Sequence, residues 1–218
     1  MMSDIEGKQV QFPPAADANP EGLVAVGGDL SVERLLLAYR SGIFPWTVCP
    51  ITWWSPDPRA IFELDQFHAS RSLERVIKRG AFEVTFDQAF GQVIRACAEP
   101  GAGRGETWIS PEFIAAYTLM HQEGHAHSVE CWQDGCLAGG VYGVAVGGLF
   151  AGESMFHRVN DASKVALYHL FQRLNARRFR LFDIQMLTPV TTQLGARNIR
   201  RSEYLERLRL ALEQPCQW

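Results

Sequence analysis

The stretch from Gly139 to Phe156, GGVYGVAVGGLFAGESMF, restricts the possible folds more than any other. Two apolar runs, Val141 to Val146 and Leu149 to Phe150, flank Gly147-Gly148. Glycine accepts the positive φ of a tight hairpin, so the pair marks a turn between two strands. Charge is almost absent here, which predicts central strands of a buried sheet. Glu153 then interrupts the apolar pattern. A carboxylate in such surroundings must find a partner, shift its pKa or face a cleft.

The 218 residues can hold one large domain, or one domain with a small companion. No apolar run approaches the ~20 residues of a membrane span. The opening MMSDIEGKQV lacks the apolar centre of a secretory signal, and a cytoplasmic protein is expected. The five cysteines then read as free, reduced thiols, mostly interior. Cys131 and Cys136 are too loosely spaced for a CxxC pair, and no Cys/His set has zinc spacing, so no metal is expected. A net charge of −3 means that any nucleic-acid site must be local. Two basic clusters exist: Arg71, Arg75, Lys78 and Arg79, and Arg173, Arg177, Arg178 and Arg180. Each alone reads first as a solvated helix face.

Residues 3–22 are polar and proline-rich, and are expected to be extended. A strand follows at Leu23 to Val26, then a turn at Gly27-Gly28. Ser31 caps a helix over Val32 to Arg40, which Ser41-Gly42 ends. Phe44-Pro45-Trp46 and Trp53-Trp54 form an aromatic and proline cluster that is unusual for a loop. Trp53 and Trp54 fit the core of a small domain as well as a functional surface, and Trp46 equally fits stacking on a base or an aromatic ligand. Ala60 to Leu64 is an expected strand, 70–80 a basic helix capped by Ser70, and Phe82 to Phe86 an alternating strand. Asp87 is expected to cap a helix over 88–98, before a loop at 99–106. Ser110-Pro111 opens a helix running to His121. A strand at 127–133 and a turn at Asp134-Gly135 lead into the central stretch. A helix over 162–176, a strand over Arg180 to Gln185, a short helix from Thr191 to Gly195 and a closing helix over Ser202 to Leu212 complete a mixed α/β chain.

Asp183 and Gln185 lie two apart on one expected strand, so they share a face while Phe182 and Ile184 share the other. If this strand neighbours the one carrying Glu153, three polar side chains line one cleft. The same pattern also fits a buried network that pins the sheet. No GxGxxG, GxxxxGK[ST] or GxSxG motif is present. His125 and His127 have no third ligand and read as structural. Ser154 has no identifiable base and does not read as a nucleophile.

Several segments together resemble the bacterial leucyl/phenylalanyl-tRNA–protein transferase family. They are GLVAVGGDLSVERLLLAYRSGIFPW (22–46), WWSPDPRA (53–60), SRS (70–72), FGQVI (90–94), TWI (107–109), GHAHSVE (124–130), GG-YGVA (139–145), GESMF (152–156), ASK-AL (162–167) and Asp183-x-Gln185. The resemblance covers about Phe12 to Tyr204. It implies a small N-terminal domain, residues 1–60, and a GNAT-like catalytic domain, residues 61–218, with a mixed central sheet. The acetyltransferase pyrophosphate loop is absent, which suits an acyl donor carried on tRNA rather than on coenzyme A.

The implied reaction moves Leu or Phe, less well Met, from its tRNA to the N-terminal Arg or Lys of an acceptor protein. The product is marked for degradation by an N-degron route. A monomer without cofactor is expected. By similarity, Gln185 contacts the attacking amine and Asp183 polarises it, while Glu153 orients the site or meets the acceptor's cation. Met155 matches a pocket residue for the aminoacyl side chain, with Gly152 and Ser154 beside it. Val141 stands where the family can carry Met. Trp46 and Trp108 match aromatic residues flanking the terminal adenosine. Arg71, Arg75, Lys78 and Arg79 become the face for tRNA phosphates, weakened by Glu74 where a basic residue can stand. A coenzyme A-dependent N-acyltransferase and a non-catalytic tRNA-binding module are the competing readings.

Overall fold

The computed structural model describes residues 11–100 and 107–218. The expected loop at 99–106 and the extended segment at 3–22 fall partly outside these residues. After a short 3-10 turn at Ala15–Asp17, the elements are β1 (Leu23–Val26), α1 (Val32–Arg40), β2 (Phe44–Val48), β3 (Ile51–Trp54), β4 (Arg59–Phe62), α2 (Arg71–Lys78), β5 (Glu83–Phe86), α3 (Phe90–Ala98), α4 (Pro111–Gln122), β6 (Ala126–Gln133), β7 (Cys136–Val146), β8 (Leu149–His157), α5 (Ala162–Ala176), β9 (Leu181–Gln185), α6 (Pro189–Gln193), β10 (Arg197–Ile199) and α7 (Arg201–Leu212).

The strands form two sheets. A three-stranded sheet runs β1-β3-β2, and a seven-stranded sheet runs β10-β4-β9-β8-β7-β6-β5. Every pairing is antiparallel except β8 with β9, which is parallel. The hairpin β7–β8 therefore sits inside the larger sheet, with Gly147 at φ 55° in its turn, as the Gly-Gly pair predicts.

Each face of the larger sheet carries its own apolar cluster. One gathers Tyr39, Phe90, Phe113, Tyr117, Tyr142 and Tyr204 from α1, α3, α4, β7 and α7. It also takes in Phe44 and Trp53, so the small sheet shares a core with the large one. The other gathers Phe62, Leu73, Val141, Phe171 and Phe182 around α2 and α5. The division expected after residue 60 falls inside β4.

Helix starts follow the capping residues. Ser31, Ser70 and Ser110 accept from the backbone N–H three residues on, at 3.4, 3.2 and 3.5 Å. Asp87 does not cap α3. It lies at φ 59°, and its carboxylate accepts from Ser128 N–H at 2.8 Å and pairs with His127 Nδ1 at 2.9 Å. Glu130, across the sheet on β6, reaches the start of α3 instead, accepting from Ala89 N–H at 3.4 Å.

Three other expectations change. The tryptophan-rich segment is the hairpin β2–β3, with Pro45 inside β2 opposite Trp53; a proline within a strand weakens the strand signal in sequence. Within it, Trp53 takes the core alternative: it is buried, and its indole N–H donates to Gly27 O at 2.8 Å. The helix expected from Thr191 starts earlier, at Pro189, set by a capping box between Thr188 and Thr191. The thiols are not mostly interior: Cys97 and Cys131 are buried, but Cys49 and Cys136 are exposed.

Candidate active site

The parallel pairing of β8 with β9 covers only Leu149↔Leu181, Phe150↔Phe182 and Ala151↔Asp183. Beyond these pairs the strands part, and a cleft of about 630 Å³ opens between them. A bulge at the same point aims the first polar side chain. On β7, Tyr142 faces Ser154 and Gly143 faces Gly152, so Glu153 is an extra, unpaired residue. An extra residue reverses the alternation of a strand. Ala151 and Phe156 consequently share one core cluster, while Phe150 and Met155 pack with the other. Gly143 and Gly152 make the close approach possible: a Cβ on Gly143 would lie 2.3 Å from Ala151 O.

Glu153 faces α1 and α4. Its Oε1 accepts from Tyr39 OH at 2.8 Å, and Tyr117 OH donates to Oε2 at 3.2 Å. The two phenol oxygens lie 2.5 Å apart. Among the described residues, no cation pairs directly with Glu153. Burial pushes its carboxyl up to about 7, and the nearby Asp183 charge adds to this against the tyrosine hydrogen bonds and Arg59. The same burial raises both tyrosines well above the ordinary phenol value, so they stay neutral donors.

Gln185 closes β9 at φ 57°. Its Nε2 donates to Glu153 Oε1 at 3.2 Å, and its backbone N–H donates to Asp183 Oδ1 at 2.9 Å. Its Oε1 accepts from no described residue and is free for a donor on a ligand. Glu153 and Gln185 both line the cleft.

Asp183 does not. It is fully buried, which corrects the expectation that alternation brings all three polar side chains to the cleft. Arg59 grips its carboxylate at both oxygens, Nε to Oδ1 at 2.8 Å and Nη2 to Oδ2 at 2.6 Å. Tyr204 OH donates to Oδ2 at 3.0 Å. Burial would lower the Arg59 pKa, but the Asp183 charge outweighs it and holds the guanidinium above its ordinary value. Arg59 also donates to Gly42 O at 3.1 Å, and it lies between the Phe44 and Tyr204 rings at 4.8 and 4.4 Å.

The remaining cleft is apolar. Val141, Met155, Leu167, Phe182 and Ile184 line it on one side, with Gly152 and Ser154 between them and Glu153. Trp46 and Trp108 line it from the β2 side and the segment before α4. Met186 to Thr191, from the end of β9 into α6, form a rim with Met186 and Val190 exposed. The four basic residues of α2 do not line the cleft. Arg71, Arg75, Lys78 and Arg79 are exposed, and Lys78 lies 3.7 Å from Glu74. Of the two histidines, His127 pairs with Asp87 and stacks on Trp218.

Four residues at the site carried little signal in sequence. Tyr39 and Tyr117 look like ordinary apolar positions of amphipathic helices. Tyr204 lies on the last helix, more than twenty positions from its partner. Arg59 offered a clue, since an arginine opening an apolar strand needs a carboxylate, but the sequence does not say which.

A model of the leucyl/phenylalanyl-tRNA protein transferase matches residues 61–209, and a model of that protein's N-terminal domain matches 28–57. The chain belongs to the leucyl/phenylalanyl-tRNA–protein transferase family. Curated members are similar over nearly its full length. The leucyl/phenylalanyl-tRNA–protein transferase of Syntrophotalea carbinolica is 50% identical over 95% of this chain and 91% of its own. That of Syntrophobacter fumaroxidans is 52% identical over 91% and 86%. This transferase chain is accordingly an aminoacyltransferase, and its family implies aminoacyl-tRNA and protein as substrates. Among solved structures, the ribosomal-protein-alanine N-acetyltransferase of Brucella melitensis aligns at a TM-score of 0.38 and 17% identity, over 53% of this chain and 91% of that one. The L-PGS of Bacillus licheniformis aligns at 0.39 and 17%, over 74% and 54%. Both likenesses are too distant to bear on function. No helix among the described residues is long and apolar enough to cross a membrane.

Proposed function

We propose that this enzyme transfers Leu or Phe, less readily Met, from tRNA to the N-terminal Arg or Lys of an acceptor protein. The observation that carries this reading is the free Gln185 Oε1, held beside Glu153 at the edge of an apolar slot. The aminoacyl side chain enters the slot against Val141 and Met155, where a flexible thioether adapts to either Leu or Phe. The terminal adenosine stacks against Trp46 and Trp108, which face the same cleft. Phosphates of the acceptor stem meet Arg71, Arg75, Lys78 and Arg79 on α2. The enzyme works as a monomer in the cytoplasm, and its products enter an N-degron route.

The chemistry asks mainly for alignment. An α-amine with a pKa of about 7.7–8.0 is partly neutral at cytoplasmic pH. Gln185 Oε1 accepts one of its N–H bonds and points its lone pair at the ester carbonyl. The amine nitrogen bonds to that carbon, and the bond to the ribose oxygen breaks. One amine proton ends on the ribose hydroxyl, so transfer from a neutral amine needs no outside base. When the amine arrives as an ammonium, Glu153, with its carboxyl near 7, takes the extra proton. The ionised Glu153 also attracts the acceptor's guanidinium or ammonium group. Asp183 meets no substrate, because its carboxylate is buried and bonded to Arg59, Tyr204 and the Gln185 backbone.

Purified enzyme is expected to move labelled Leu from charged tRNA onto an Arg-initiated peptide, without added metal or coenzyme A. A peptide starting with Ala should receive none. Equal transfer to both peptides, or to neither, overturns the acceptor assignment.

A further inference from the structure

Asp183 is sealed from the cleft, yet it lies two residues from Gln185, whose amide lines it. We propose that Arg59 and Tyr204 are positioning residues for the transfer, acting through Asp183 on the backbone of Gln185. This rests on the reading that Gln185 holds the acceptor amine.

The chain of contacts is continuous. Tyr204 OH and both arms of the Arg59 guanidinium bind Asp183, leaving its Oδ1 aimed at Gln185 N–H. Gln185 stands at φ 57°, where a non-glycine residue stays only when its surroundings hold it. The hydrogen bond from its N–H to Asp183 supplies that hold. Immediately after it, Met186 N–H turns back to Ile184 O at 2.6 Å, so the strand ends in a tight turn. Released from Asp183, residue 185 would relax toward an extended φ, and its side chain would swing away from Glu153. The anchor itself is buried and held on several sides. Arg59 opens β4, is sandwiched between the Phe44 and Tyr204 rings, and bonds to Gly42 O after α1. The aim of Gln185 therefore depends on β2, β4, β9 and α7 meeting at one buried ion pair.

The test is a double-mutant cycle on the single-turnover transfer rate, with Leu-charged tRNA and an Arg-initiated peptide. Tyr204→Phe keeps the ring under Arg59 and removes only the hydroxyl. It is expected to slow transfer about fivefold, the scale of one buried hydrogen bond. Its KM for charged tRNA should not move. In a Gln185→Ala background, the same change is expected to cost nothing further, because the side chain being aimed is gone. Arg59→Lys, which cannot grip both oxygens, should repeat the pattern with a larger first step. A full fivefold loss in the Gln185→Ala background overturns the positioning role and leaves a general structural one. A Tyr204→Phe enzyme as fast as the parent overturns it too. A Gln185→Ala enzyme as fast as the parent overturns the reading of Gln185 itself, and the proposal with it.

Discussion

Glu153 and Asp183 stand on adjacent strands and have opposite environments. Asp183 is sealed and bound by a guanidinium, a phenol and a backbone N–H. Glu153 borders the cleft and is held by two neutral phenols and an amide, with no cation in contact among the described residues. The difference shows how a buried carboxylate becomes either a structural post or, at Glu153, a group whose pKa burial raises to about 7. What decides is whether a fixed positive charge accompanies the carboxylate into the protein.

The largest expected effect tests the sealed node. Asp183→Ala leaves Arg59 buried and unpaired, and should cost about 3–5 kcal/mol of stability in urea denaturation. A loss below 1 kcal/mol would mean that the ion pair is no anchor.

The open node predicts a pH dependence. The folded-state pKa of Glu153, about 7, lies above its unfolded value, so the folded form binds the extra proton between about 4.5 and 7. Stability from this group is present below about 4.5 and is lost as pH rises toward 7. Glu153→Gln should flatten that decline, by about 1–3 kcal/mol after allowance for exposure to the cleft. An unchanged pH profile would mean that Glu153 carries no raised pKa in the folded protein.

A comparable magnitude applies to the aromatic wall. Trp46→Ala and Trp108→Ala should each weaken charged-tRNA binding by about 1–3 kcal/mol, with little change in the KM for peptide. Equal effects on both substrates would remove the adenosine assignment. The smallest effect belongs to α2. Replacing Arg71 and Arg75 by Ala should lower the salt slope of tRNA binding by about one to two. A slope identical to the parent's would return that helix to an ordinary solvated face.

Much of the molecule was visible in the residues. The β7–β8 hairpin, the serine caps and the apolar stripe of α5 follow from local rules acting within a few positions. So did the oddity of Glu153, since a carboxylate within GGLFAGESMF has few quiet explanations. The hairpin β2–β3 was hidden because its pairing joins segments broken by prolines. Strand β10 was hidden because three residues carry too little pattern. Asp183 and Gln185 stand out in sequence as polar residues on an apolar strand, but alternation assigns them a shared exposure that the end of β9 does not allow.

The sequence alone determined which segments are strands and helices at the centre of the chain, and that acidic groups enter an apolar sheet. Local propensity and burial act over short distances and leave their mark in order and spacing. The tertiary structure decided which carboxylate is neutralised. Arg59 and Asp183 are 124 positions apart, and only the register of β4 on β9 brings them together. It also decided where the cleft opens, because the parting of two parallel strands depends on all their neighbours and on no single stretch of residues.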